Sequence, residues 1–171
     1  YYLARLGQAD DMDSIERRLL VCAYEDIGLA NPGAVSRTIN AIDAAKRVGF
    51  PEAFIPLSVA VIDLTLSPKS KSADIAIKQA MQAVEQYPLQ VPSYLRLTPV
   101  NMDEEDKYDY DRSELWPYIQ YLPNQIKDME FYKPNTNSSY EAQLSKNLES
   151  LSKIKRTDNL RELKKKVKRV K

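Results

Sequence analysis

There is no histidine anywhere in the 171 residues. That absence removes the commonest general base, the usual zinc ligand sets and every Ser–His or Cys–His nucleophile pair. Glycine is scarce too: Gly7, Gly28, Gly33 and Gly49 are the only four, and no G-x-x-x-x-G-K-[ST] run occurs. A phosphate-cradling loop needs clustered glycines so that backbone amides can converge on the anion. These residues cannot hold ATP in the P-loop manner. The single cysteine, Cys22, falls on an apolar helix face and reads as a small core residue, not half of a disulfide. No apolar run approaches the ~18–20 residues that a membrane crossing needs, and the opening residues carry no signal-peptide pattern. YYLARL starts inside a helical pattern and without Met, as expected of a fragment of a longer protein.

What is present is helical. The segment Arg17 to Pro32, RRLLVCAYEDIGLANP, organises the rest. Ile15, Leu19, Cys22, Ala23 and Ile27 recur at helical spacing, Gly28 supplies a left-handed stop, and Asn31-Pro32 is an N-cap followed by a first-turn proline. Asp13 or Ser14 is expected to cap the helix that enters this corner. Glu25 and Asp26 fall in its last turn, where the helix dipole disfavours negative charge. Two readings stand: an Arg or backbone amides of another segment or subunit hold them, or water solvates them.

The next helix, Pro32 to Val48, places Val35, Ile39, Ile42 and Ala45 on one face and ends at Gly49. Pro51 to Ser67 then carries only Glu52 and Asp63 as charges, with apolar residues all round. It is too long for a buried strand. A helix of this kind must be covered on several sides, by its own domain or by a neighbouring subunit. Pro68 breaks it, Ser72 is the expected N-cap of the following helix, and Ala73, Ala76, Ile77, Ala80, Val84 and Tyr87 mark one face there.

From Pro88 to Pro134, recurrent proline and tyrosine destroy any helical period except around 112–118, as expected of an ordered but irregular segment wrapped over the helices. Inside it, Asp103, Glu104, Glu105, Asp106, Asp109 and Asp111 form an acidic cluster. A calcium loop needs a glycine at its sharp turn and a closing Glu at the right spacing, so the cluster reads as a solvated loop and no metal site is assigned. Ser138 with Glu141 is a capping box that opens a helix. The chain is thus all-α: a helical core over 1–87, an irregular segment over 88–137, a helix over 138–153 and a basic tail over 154–171.

Several of these stretches carry a resemblance. RRLLVCAYEDIGLANP, PEAFIPLSVAVIDLTLSPKSKSADIAI, VPSYLR, YIQYLPNQI, FYKPN and YEAQL resemble, in order, the C-terminal domain of the replication-associated recombination protein A family of AAA+ ATPases. That family is also called maintenance of genome stability protein A, and its eukaryotic relative is the Werner-helicase-interacting protein. The family's usual Gly and His around a Lys–Tyr pair are missing; Lys107 and Tyr108 remain, with Asp106 near the Gly position. The resemblance implies a helical bundle like a clamp-loader collar that joins subunits, as a homo-tetramer, of a DNA-dependent ATPase at replication forks. It implies ATP and Mg in an ATPase domain and none here, DNA and replication-fork proteins as partners of the whole protein, and a cytoplasmic, nucleoid-associated bacterial setting away from membranes. Arg17, Arg18, Glu25, Asp26, Pro68 and Lys69 carry it as assembly candidates, with an Arg17- or Arg18-to-carboxylate contact as its concrete form.

A second function class comes from charge. Residues 153–171 hold ten Lys or Arg against Asp158 and Glu162, a local +8, which leaves −7 for the rest. Lys164, Lys165, Lys166, Lys168 and Arg169 are the nucleic-acid candidates, on a short amphipathic helix spaced by Leu160, Leu163, Val167 and Val170 or on a frayed tail. A third class, a stand-alone enzyme using Glu25 with Asp26 or an activated Lys69, lacks any converging partner in the sequence. No catalytic residue is assigned. The 171-residue protein is therefore expected to hydrolyse no ATP, with or without DNA, in a phosphate-release assay; turnover would overturn the exclusion drawn from the missing P-loop.

Overall fold

The computed structural model describes residues 1–167 and is all-α. Seven α-helices follow in order: α1 Tyr2–Gln8, α2 Met12–Val21, α3 Pro32–Val48, α4 Phe54–Leu66, α5 Ser72–Gln86, α6 Ser139–Ser152 and α7 Leu160–Lys166. Among the described residues the only β pairing is an isolated parallel bridge between Ile119 and Thr157. No helix among them is long and apolar enough to cross a membrane. The chain divides into two compact units, one formed by 1–79 with 131–145, the other by 80–130 with 146–171.

In the first unit, α1 to α4 close around two clusters. Ile15, Ile42, Ala45, Ala53 and Leu57 form one, and Ala23, Ile27, Ala34, Val35 and Leu64 the other, with Leu19 packed against both. Gly7 is buried in α1 because Phe54 lies against it: a Cβ there would come within 2.3 Å of the Phe54 ring. Asn31 caps α3 by accepting from the Ala34 N–H at 3.1 Å, and Gly49 ends the helix at φ +73°. The cap of α2 is Asp11, which accepts from the Ser14 N–H at 3.0 Å. The expected caps, Asp13 and Ser14, lie inside the first turn, because the chain already reverses at Asp10 (φ +52°).

The corner after α2 is wider than an α-helix. Cys22–Ile27 is a π-helical turn, followed by a 3-10 turn over Gly28–Ala30. Ile15, Leu19, Ala23 and Ile27 are spaced by fours, and slower winding keeps such a series on one face. The same winding turns Cys22 outward, so it is exposed and not the core residue its spacing suggested.

The second unit is built from short 3-10 turns at Ser93–Leu95, Glu104–Asp106, Ser113–Tyr118 and Asn124–Ile126. Its core joins Leu115 and Ile119 to Leu160 and Leu163 of α7. The stretch 160–167 is thus a packed element and not a frayed tail. Lys168, Arg169 and Val170 lie outside the described residues.

Gly7→Ala tests the close approach of α1 and α4. The helix-propensity gain of about 1 kcal/mol is expected to be outweighed by overpacking against Phe54, for a net loss of about 1–2 kcal/mol. Thermal unfolding followed by circular dichroism reads the sign.

Candidate functional site

The C-terminal end of α4 leaves carbonyls without helical partners. Lys69 supplies what they lack: its Nζ donates to the carbonyls of Leu64 (2.9 Å), Thr65 (3.1 Å) and Ser67 (2.6 Å). With its three donors used this way, Lys69 caps the C-terminal end of α4. Asn31 Nδ2 donates to Ser67 Oγ at 3.0 Å, which ties the start of α3 to the end of α4. A bidentate pair, Arg37 Nε and Nη2 to Asp63 at 2.7 and 3.0 Å, joins the same helices midway.

Past exposed Pro68, the chain runs back against the π turn. The Ser70 N–H donates to the Asp26 carbonyl at 2.8 Å. Lys71 Nζ stands 2.9 Å from Asp26 Oδ1 and 3.3 Å from Glu25 Oε1. Hydrogen bonding to Asp26, then to Glu25, raises the Lys71 pKa. The cation that answers the two misplaced carboxylates is thus a lysine of the Pro68–Ser72 corner. Among the described residues, Arg17 and Arg18 are exposed and make no ion pair.

The corner then closes on Glu141. This side chain is 0% exposed. Its Oε1 accepts from the Ser72 hydroxyl, from the Tyr132 hydroxyl at 3.1 Å and from the Asn135 N–H at 3.0 Å. Burial pushes its pKa up, but the donors Ser72, Asn135, Ser70 and Tyr132 together outweigh burial and hold it below the ordinary value. Burial first, and then the facing carboxylate, push the Tyr132 hydroxyl up to about 12; it remains a donor at neutral pH. Ser138 does cap α6, accepting from the Glu141 N–H at 3.2 Å. The other half of the expected capping box is absent, because the Glu141 carboxylate turns inward. Ser72 is likewise not a cap: it is the first residue of α5, and the Ser70 hydroxyl accepts from its N–H at 3.3 Å.

Four quoted stretches, EDIGLANP, SPKSKS, FYKPN and YEAQL, therefore meet in one hydrogen-bonded corner. Sequence reasoning missed Lys71, Ser70, Tyr132, Asn135 and the inward role of Glu141. The available signal was that each lies inside a stretch matching the family. Two open cavities flank the corner, about 600 Å³ between Asn31, Pro32, Pro68 and Ser139, and about 330 Å³ between Lys69, Lys71, Ile75 and Lys133. Among the described residues no three Cys, Asp or Glu side chains group as a metal site.

The other feature of this unit is an uncovered face. On α4, Leu57, Ala60 and Leu64 are buried against the core, whereas Ile55 (69%), Val59 (62%), Ile62 (58%) and Leu66 (80%) are exposed. Their 4, 3, 4 spacing is a single stripe along the helix. On α5, Ile77, Met81 and Val84 are exposed at 4, 3 spacing, so the face marked by Ile77 and Val84 is open to solvent. Among the described residues of this unit, none covers the α4 stripe.

The described residues thus form an all-helical domain with a polar corner fixed by a buried carboxylate and an apolar helix face left in water. The family described as MgsA AAA+ ATPase C terminal matches residues 1–152, and the chain belongs to that family. It is 45% identical over 162 residues to the replication-associated recombination protein A of Bacillus subtilis, covering 91% of this chain and 38% of that protein. Against the protein of the same name from Haemophilus influenzae the identity is 35% over 160 residues, covering 88% and 36%. The chain thus spans a little over a third of the length of these relatives.

Removing the Glu141 carboxylate strands the donors of buried Ser72 and of part-buried Tyr132 and Asn135, each at up to about 1–3 kcal/mol. Glu141→Ala is expected to cost about 3 kcal/mol or more in denaturant unfolding. Because its folded pKa lies below the unfolded value of 4.5, the native state binds fewer protons than the unfolded chain over that window. The contribution is complete above pH 4.5 and is lost as pH falls through the folded value. Glu141→Gln should flatten that part of the acid limb; an unchanged pH profile would show that the carboxylate is not ionised in the fold.

Proposed function

We propose that this chain is the assembly module of a DNA-dependent AAA+ ATPase that acts in replication-associated recombination and fork maintenance. Its work is to hold several ATPase domains together, as a homo-tetramer by the family resemblance, and to raise their effective concentration relative to one another. The chain itself contributes no catalytic group; ATP and Mg belong to the ATPase domain, and replication-fork proteins and DNA are partners of the whole protein. The observation that carries this reading is the α4 stripe. Four large aliphatic side chains held in water on one ordered helix are each worth about 1.5–3 kcal/mol if buried, and exposed patches of this kind mark association surfaces. Arg17 and Arg18, exposed and without ion pairs among the described residues, remain available to carboxylates of a neighbouring copy.

A second reading, contact with nucleic acid through the basic C-terminal segment, is supported by Lys155, Arg156 and Lys165. These are exposed and make no ion pair among the described residues. Of the other tail candidates, Lys164 donates to backbone carbonyls and Lys166 stands 3.4 Å from Glu162, and Lys168 and Arg169 lie outside the described residues.

Light scattering of the 171-residue protein across a wide dilution range tests assembly. The expected result is a tetramer mass insensitive to dilution. Val59→Glu with Ile62→Lys is expected to reduce it to monomer with unchanged helicity, since both side chains are exposed in the single chain. A monomeric wild-type protein, or an undiminished oligomer in the double variant, would remove α4 as the assembly surface.

A further inference from the structure

The acidic stretch 103–111 and the basic C-terminal segment, separate features in the sequence, are bound to each other. Arg161 Nη2 lies 2.6 Å from Asp103 Oδ2 and 2.7 Å from Asp106 Oδ2, and its Nε is 3.0 Å from Asp106 Oδ1. Glu105 stands 3.5 Å from the same Nε. One turn on, Lys164 Nζ donates to the carbonyls of Glu104 (2.9 Å) and Lys107 (2.7 Å). From the other side, Arg112 Nη2 donates to the Val167 carbonyl at 2.7 Å. Leu160 and Leu163, buried with Leu115 and Ile119, fix α7 so that Arg161 and Lys164 meet the Asp103–Lys107 turn.

A guanidinium bound side-on by a carboxylate presents the same fork that would grip a phosphate. Two groups of the basic segment are therefore already spent. Exposed Tyr110, Trp116 and Tyr121 in the same unit offer faces on which unpaired bases stack and duplex bases do not.

We propose that the acidic turn 103–106 is an internal competitor for phosphate, which occupies Arg161 and Lys164 and restrains the basic C-terminal segment from binding the backbone of single-stranded nucleic acid. The proposal rests on the second reading above, because the restraint has an effect only if the segment binds nucleic acid. In wild type, binding falls to the cations outside this cluster. Neutralising the turn's carboxylates frees Arg161 as one added phosphate contact, while Lys164 stays on the carbonyls of Glu104 and Lys107.

Asp103→Asn with Asp106→Asn removes the competing charge and keeps the shape and acceptor oxygens of the turn. Binding of a labelled oligothymidylate to the full 171-residue chain, measured by anisotropy across a salt series, is expected to tighten at least tenfold. The slope of log affinity against log salt should steepen by about 0.7, from the one contact that Arg161 adds. Adding Arg161→Gln and Lys164→Gln to this variant should remove the gain. Asp109→Asn with Asp111→Asn changes the net charge equally in the same stretch without touching Arg161 or Lys164, and should give a smaller gain and no change in slope. An equal effect in this control, or a gain that survives loss of Arg161 and Lys164, would reduce the effect to net charge and overturn the proposal. Wild-type binding matched in affinity and slope by the Asp103/Asp106 variant overturns the restraint but leaves the nucleic-acid reading standing. No binding by any of these proteins at the lowest salt sinks both. Should the double variant not fold by circular dichroism, Asp106→Asn alone is expected to show the steeper slope at about half the size, and its absence is equally decisive. Duplex bound as tightly as the single strand by the released variant would overturn the single-strand assignment.

Discussion

A buried carboxylate is tolerable only when donors surround it, and Glu141 is fully enclosed. The three donors that reach its Oε1 come from two separate places in the chain: Ser72 at the start of α5, and Tyr132 and Asn135 on the return segment. Meeting the charge at Oε1, with Oε2 left without a hydrogen-bond partner among the described residues, therefore fixes how the Pro68–Ser72 corner lies against the segment 131–141. That same corner delivers Lys69 to the carbonyls of α4, the Ser70 N–H to the π turn and Lys71 to Glu25 and Asp26. An apolar core could hold α3 on α4 without it, but could not set the angle at which the chain leaves α4.

Held in this way, α4 keeps one apolar face in the core and the other in water. The open stripe is made of the residue types that fill cores elsewhere in the same helix, and the single charge of the helix, Asp63, is neutralised by Arg37 beside it. Charge is handled differently in the second unit. The contrast of an acidic body and a basic tail, so marked in the sequence, partly cancels, because the acidic turn and α7 meet through Arg161 and Lys164. A charge count along a chain does not say which charges face each other.

Local chemistry was the readable part. The Asn31 cap with Pro32, the stop at Gly49 and the Ser138 cap each follow from a residue and its immediate neighbours, and each stands in the structure. Where the reading failed, a non-local partner or an irregular winding intervened. Cys22 was placed inside by a 3.6-residue period that the π turn does not keep. Ser72 and Glu141 looked like capping residues because capping is what such residues do with nothing but a helix nearby. Each had a stronger partner about 70 positions away along the chain, and a buried charge–hydroxyl bond outweighs an exposed cap. The apolar face marked on α5 is open at Ile77 and Val84, because periodicity reports only that a face wants cover and not that the chain supplies it.

By itself the sequence determined the all-helical class, the absence of a phosphate-binding loop and of histidine chemistry, and the family, since these depend on composition, on short-range periodicity and on residues matched in order. Tertiary structure alone decided which groups meet: Lys71 with Glu25 and Asp26, Glu141 with Ser72, Tyr132 and Asn135, and Arg161 with the acidic turn. It also decided which side of α4 is left in water. The reason is physical: helix formation is settled within a few residues by backbone hydrogen bonds and caps, whereas the partner of a charge or of an apolar face is set by closing the chain over long separations.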